Sequence, residues 1–233
     1  MQVGIKIFPD RIPTIPEYSK FADFIEILAS DKLRIPSLKK FKIPFTVHTT
    51  HSWWNVNPAD KRLEKHNLKE VRRAQKTADA VKSDIIILHP GWIDNKHSSV
   101  ENSLNFFKKL DDPRIIAENL CNKNSVAATP EGIKLFKENK INFCFDFGHA
   151  IAIAYQQKKN YKRYIRQFIK LKPVYFHISD GHVKAPKDQH MNLGEGNYDI
   201  KFLKQFINKR VVLETDHRSP VAKYKEQVEL MKK

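Results

Sequence analysis

The chain has 233 residues, 41% of them hydrophobic, which suffices to bury one substantial core, so about one domain is expected. Its 42 Lys and Arg outweigh 26 Asp and Glu for a formal charge of +16, a bias that favours a polyanionic partner such as nucleic acid. The plainer source of such a bias is a lysine-rich, thermophile-like composition in which lysines only keep the surface wet. No apolar run approaches the ~20 residues of a membrane span. Early charges and prolines do not read as a secretory leader, so no membrane partner and a cytoplasmic location are expected. Cys121 and Cys144 lie in apolar, strand-like contexts and read as buried free thiols of a reducing compartment.

In chain order, runs of β-branched and aromatic residues fall at 2–8, 23–28, 43–49, 84–89, 114–119, 141–146, 173–178 and 210–215. Residues 9–22 hold several prolines and little helical periodicity, so the first two units are the weakest. From Leu63 to Lys82, the residues Leu68, Val71, Ala74, Ala78 and Val81 recur every three or four positions and predict a long amphipathic helix. Further helices are predicted over 99–110, 130–139, 160–171, 198–208 and 220–232. Thr129-Pro130-Glu131 supplies an N-cap followed by proline in the first turn. Strands alternating with helices imply parallel pairing and closure into one (β/α)8 barrel spanning 1–233, with a shortened N-terminal region. The longest stretch without periodicity is 181–197, and loops of that length in a compact domain are usually functional.

Many of the strand-like runs close on a group able to bind a metal. Phe45-Thr46-Val47-His48, Ile86-Ile87-Leu88-His89, Ile115-Ile116-Ala117-Glu118, Phe143-Cys144-Phe145-Asp146, Val174-Tyr175-Phe176-His177 and Val211-Val212-Leu213-Glu214 are the clearest. In a parallel barrel the C-terminal strand ends converge on one face, where active sites are built. A carboxylate there is costly unless it is paired or metal-bound, and a lysine salt bridge is the ordinary alternative to an ion. His51 competes with His48, which is preferred for its place at the strand end. Asp146 and His149 share a mouth if a helix begins between them. Asp188 and His190, two apart on an extended segment, would point to one side and join His149 on a further ion. Asp180 and His182 are weaker candidates, while His66, His97 and His217 read as surface. Nine candidates are too many for one ion and suit two or three that share carboxylates, an arrangement fitted to phosphodiester hydrolysis. Zinc is the favoured metal, with manganese or iron as alternatives.

The order His…His-Pro-Gly…Glu-Asn…Asp-x-x-His…His…Asp-x-His…Gly-Glu-Gly…Glu, running from His48 to Glu214, resembles the xylose isomerase-like TIM barrel superfamily, and within it the endonuclease IV family. That resemblance implies one ion held by His48, His89 and Glu118. It implies a second on Glu118, Asp146, His177 and Glu214, and a third on His149, Asp188 and His190. Glu118 and Glu214 would be the catalytic carboxylates, and the reaction would be incision of DNA 5′ of an abasic site. The chain departs from that family in three places. Its first strand reads Val3-Gly4-Ile5-Lys6 where the family has a Gly-x-His pattern, residues 9–22 lack an obvious equivalent of the family's basic DNA-contacting loop, and Gln189 stands where the family has arginine. Trp53 and Trp54, with Asn55 and Gln189, are the candidate DNA- or substrate-binding residues; aromatic stacking on a base contributes ~1–3 kcal/mol. The rival within the superfamily is a sugar isomerase or epimerase acting on a small sugar. It would use one ion on Glu118, Asp146, His177 and Glu214, with the two glutamates moving protons. A third reading is a non-catalytic nucleic-acid-binding barrel with structural metals.

Overall fold

A computed structural model describes residues 1–233 as a closed barrel of eight parallel strands in sequence order. The strands are β1 (Gln2–Ile7), β2 (Phe24–Leu28), β3 (Phe45–His48), β4 (Ile86–Leu88), β5 (Ile115–Glu118), β6 (Phe143–Asp146), β7 (Tyr175–Ile178) and β8 (Arg210–Leu213). Around them lie α1 (Ile15–Tyr18), α2 (Glu64–Val81), α3 (Val100–Leu110), α4 (Pro130–Glu138), α5 (Phe147–Gln156), α6 (Tyr161–Ile169), α7 (Ile200–Lys204) and α8 (Val221–Lys232). The expected barrel is what forms, and β1 pairs with β8 to close it (Gln2 opposite Arg210, Ile5 opposite Leu213). No helix is long and apolar enough to cross a membrane.

The prolines of 9–22 give a 3-10 segment at Pro9–Thr14 and the single turn α1, and β2 reaches β3 through only a 3-10 turn at Ile35–Leu38. The helix expected over 198–208 shortens to α7. At α4 the Thr129 hydroxyl accepts the Gly132 N–H at 3.2 Å, with Pro130 in the first turn, as the motif predicts.

Strand side chains alternate between the helical layer and the barrel interior. The outward set joins a large core that includes Val3, Ile5, Ile27, Val47, Leu88, Phe145 and Leu213. A separate small cluster of Phe24, Ile85, Ile87, Ile116, Cys144, Tyr175 and Val212 packs as a floor. Gly4 belongs to this floor, because a Cβ there would meet the Phe24 ring at 2.4 Å. Two residues beyond these positions stand Lys6, Glu26, His89, Glu118, Asp146, His177 and Glu214, so the strand period lifts these polar groups to one level above a largely apolar floor.

Candidate metal centre

The strand-end residues meet in three groups. Ligand atoms of His48, His89 and Glu118 lie within 4.8 Å of one another, as do those of Glu118, Asp146, His177 and Glu214, and those of His149, Asp188 and His190. These coincide with the three sets implied by the resemblance.

Backbone acceptors fix several imidazoles. A carbonyl only accepts, so the Nδ1–H of His48 donates to Thr49 O (2.6 Å), that of His149 to Asn119 O (2.7 Å) and that of His190 to Glu214 O (2.9 Å). In the neutral ring each Nε2 then carries the lone pair toward the site: that of His48 faces Glu118 Oε2 at 3.1 Å, and that of His149 faces Asp188 Oδ2 at 3.9 Å. His177 is held the other way round. Its Nε2 bonds Glu26 Oε2 at 3.0 Å, and its Nδ1 looks onto Glu118 Oε1 (3.1 Å) and Glu214 Oε2 (2.7 Å).

Asp146 caps α5, accepting the His149 N–H at 2.8 Å, so a helix does begin there, the condition on which the three-residue spacing brings the two side chains together. The Asp188–His190 pair converges for a different reason from the one expected. The segment is not extended: His190 is left-handed (φ 46°) and its N–H bonds Asp188 Oδ1 at 3.1 Å, so a tight turn brings the side chains together. Buried Asp180 organises the 181–197 loop, accepting the N–H groups of Gly181, Gly194 and Tyr198 at 2.7–3.1 Å. A Cβ on Gly196 would meet Gly181 O at 2.3 Å, which explains the second glycine of Gly-Glu-Gly.

Buried oxygens Oδ2 of Asp146 and Oδ2 of Asp188 have no hydrogen-bond donor, an arrangement that a divalent ion would satisfy. Burial, with Asp188, Glu214 and Glu118 nearby and against the pull of His149, pushes the Asp146 carboxyl up to about 7. Burial works against charged His177 and His149, yet the surrounding acidic groups hold both well above the ordinary histidine value. Burial lowers His89 to about 4 despite Glu118.

Lys6, Glu26 and the exposure of Cys121 were not anticipated. Lys6, from the middle of β1, is buried and donates to Glu214 Oε1 at 2.7 Å, lying 3.8 Å from Glu26 Oε1. Burial opposes its charge, but Glu214, Glu26 and Glu118 keep its pKa above the ordinary lysine value. Glu26, from the middle of β2, is fully enclosed. Both were detectable as single charges flanked by isoleucines, Ile5-Lys6-Ile7 and Ile25-Glu26-Ile27, but neither ends its strand. His51 lines the cavity, with its ring stacked 5.1 Å from that of His89, whereas His48 lies enclosed behind it. Cys121 departs from its expected burial: it follows β5 in a loop, is partly exposed and lines the cavity, while Cys144 is buried in the floor as expected, and both thiols are free.

The cavity above the ligands has a volume of about 600 Å³ and is open to solvent past Trp53 and Gln189. Trp53 is 77% exposed, Trp54 half-buried beside it (centroids 6.3 Å apart), and Asn55 takes the left-handed turn that follows (φ 56°). His217, read as surface, is exposed but borders the cavity against Phe8.

The chain is similar to proteins of more than one activity. The probable endonuclease 4 of Sulfurihydrogenibium sp. (strain YO3AOP1) is 24% identical over 208 residues, covering 79% of this chain and 74% of that protein. Among solved structures, a D-tagatose 3-epimerase-like protein superposes with a TM-score of 0.77 at 19% identity, covering 100% of this chain and 98% of the other. Endonuclease IV from Thermus thermophilus gives 0.74 at 13% identity, with the same coverage. These likenesses to solved structures show the fold. A family model described as xylose isomerase-like TIM barrel matches residues 26–233. Barrel and sequence agree, and the chain belongs to the xylose isomerase-like TIM barrel family.

Proposed function

We propose that this protein is a metal-dependent phosphodiester hydrolase that incises DNA at abasic sites. The observation that carries the reading is the third group, His149, Asp188 and His190, standing beside the other two at the same mouth. A one-ion sugar enzyme has no evident use for it. Divalent ions, with zinc the favoured metal for this imidazole and carboxylate set, would lower the pKa of a water and neutralise the scissile phosphate.

The chain's own residues then have distinct parts. Glu118 belongs to two of the groups and would be shared between their ions, and Glu214 would help hold one while accepting from Lys6. His51 lines the cavity beside the first group, its ring centroid 5.1 Å from that of His89 and 6.1 Å from that of His48, on the side from which substrate would enter. Exposed Trp53 is placed to stack on an unpaired base, and Gln189 to hydrogen-bond rather than to ion-pair with the backbone.

Two measurements test this together: ions per chain, and incision of a duplex carrying one abasic site. Two or three ions and incision are expected, with Asp188→Ala losing one ion and most activity. The second reading, a one-ion sugar isomerase or epimerase, is favoured by one observation: Lys6 already places a positive charge on Glu214. One ion per chain, no incision and turnover of a ketose would establish it instead.

A further inference from the structure

Outside the barrel mouth, the side of α2 carries a second basic feature. Arg62, Lys65, Lys69, Arg72, Arg73 and Lys76, with His66 and Ile35, line a shallow groove of about 750 Å³ that contains no acidic residue. Arg62 is engaged by Asp60 and Arg73 by Glu70. The acids of α2 are turned elsewhere: Glu64 meets Lys109 and Asp79 meets Arg114. That leaves Lys65, Lys69, Arg72 and Lys76 exposed and without an ion-pair partner. Their spacing of four, three and four residues puts them on one face, a stripe of about 16 Å at 1.5 Å per residue.

Lysines that only solvate a surface look different in this same molecule. On α4 and α8 they alternate with acids, as in Lys134–Glu138, Lys223–Glu226 and Lys225–Glu229. The stripe on α2 lacks that pairing. No large hydrophobic side chain is exposed along it, as burial into a lipid surface would require. A straight row of fixed, unpaired cations matches a ligand with regularly repeated single charges, which is a nucleic-acid backbone. The row also leads to the mouth. His66 Nε2 lies 2.7 Å from Trp54 O, at the end of α2 adjoining Trp53, Trp54 and His51.

We propose that the α2 groove is a backbone-binding track that holds duplex DNA flanking the site engaged at the barrel mouth. The inference rests on the nucleic-acid reading above, but it is measurable on undamaged duplex, where no incision occurs. In the test, Lys65, Lys69, Arg72 and Lys76 are all changed to Gln, a good helix former. A control changes Lys134, Lys137, Lys158 and Lys159 to Gln, removing equal charge elsewhere. Affinity for a labelled undamaged duplex is followed by anisotropy over a range of salt concentrations, with circular dichroism to verify folding.

The groove variant should bind at least about tenfold more weakly at low salt, and its log–log salt slope should shrink by about 0.9 for each phosphate it no longer neutralises. The control should change little. Equal weakening of both variants would mean that only net charge matters, and would overturn the proposal. So would unchanged duplex binding by the groove variant, or loss only of binding to phosphatidylserine vesicles. Groove-dependent binding without incision of abasic duplex would uphold the track and reject the nuclease activity, so the two failures are distinguishable.

Discussion

Lys6 places a fixed ammonium 2.7 Å from Glu214, a carboxylate that also belongs to the group with Glu118, Asp146 and His177. An ion entering that group must approach a like charge. At about 5 Å from a divalent ion, one positive charge costs at least ~1.5 kcal/mol even with the dielectric constant of water. Lys6→Met keeps the length and apolar stem of the side chain while removing the charge. It should tighten binding at this group by about tenfold or more, read by competition with a chelating dye. Unchanged or weaker affinity would mean that Lys6 instead holds Glu214 in its binding position. The neighbouring Glu26 acts through His177, whose Nδ1 it directs toward the cluster by accepting from Nε2.

At the scale of elements, the start of α5 packs directly against the 181–197 loop. Gly148 has no side chain where a Cβ would lie 2.4 Å from Asp188 Oδ2. Gly148→Ala should therefore push Asp188 away from His149 and His190 and remove one ion per chain, leaving the other two groups loaded. Alanine favours a helix over glycine by about 1 kcal/mol, so general unfolding is not the expected result. Metal analysis of the purified variant checks this; a full complement of ions would show that the loop yields without losing its ligand. α5 also shows where sequence reading stops. It is apolar on nearly every side, buried from Phe147 to Ala154, and so shows no amphipathic period. The amphipathic helices α2, α3, α4, α6 and α8 were legible because each presents one face to solvent. The strand-end candidates were legible through their position. Lys6 and Glu26 left only the mark of a charge between isoleucines, because strand register, with Lys6 opposite Glu26, decides that they face inward. The Asp188–His190 turn depends on a left-handed backbone, which the sequence does not mark with a glycine there.

Across the whole molecule, Glu26, Glu118, Asp146, Asp188 and Glu214 gather near the barrel axis with Lys6 as their lysine counter-charge. Ions bound at such a centre would tie stability to metal. An ion present at about a thousand times its Kd adds about 4 kcal/mol, and each kcal/mol moves Tm by roughly 2–4 °C in a chain of this size. Chelation should thus lower Tm by about 10 °C in calorimetry. The pH dependence should reverse with it. Asp146, at about 7, and His149 and His177, above their ordinary value, bind protons more tightly folded than unfolded, so stability from them is lost as pH rises. The chelated protein should be more stable at pH 6 than at pH 8. The loaded protein should show the opposite order, because protons compete with the ions for these ligands. The same order in both forms would separate the ions from these groups.

Closure of the barrel has a consequence for how the chain is made. β1 pairs with β2 on one side and with β8 on the other, so the first strand synthesised waits for the last. Until Leu213 has left the ribosome, β1 and β7 both present open edges, and Glu214, the final ligand, follows immediately behind. A nascent barrel therefore completes its set of candidate ligands and loses its exposed strand edges at nearly the same moment.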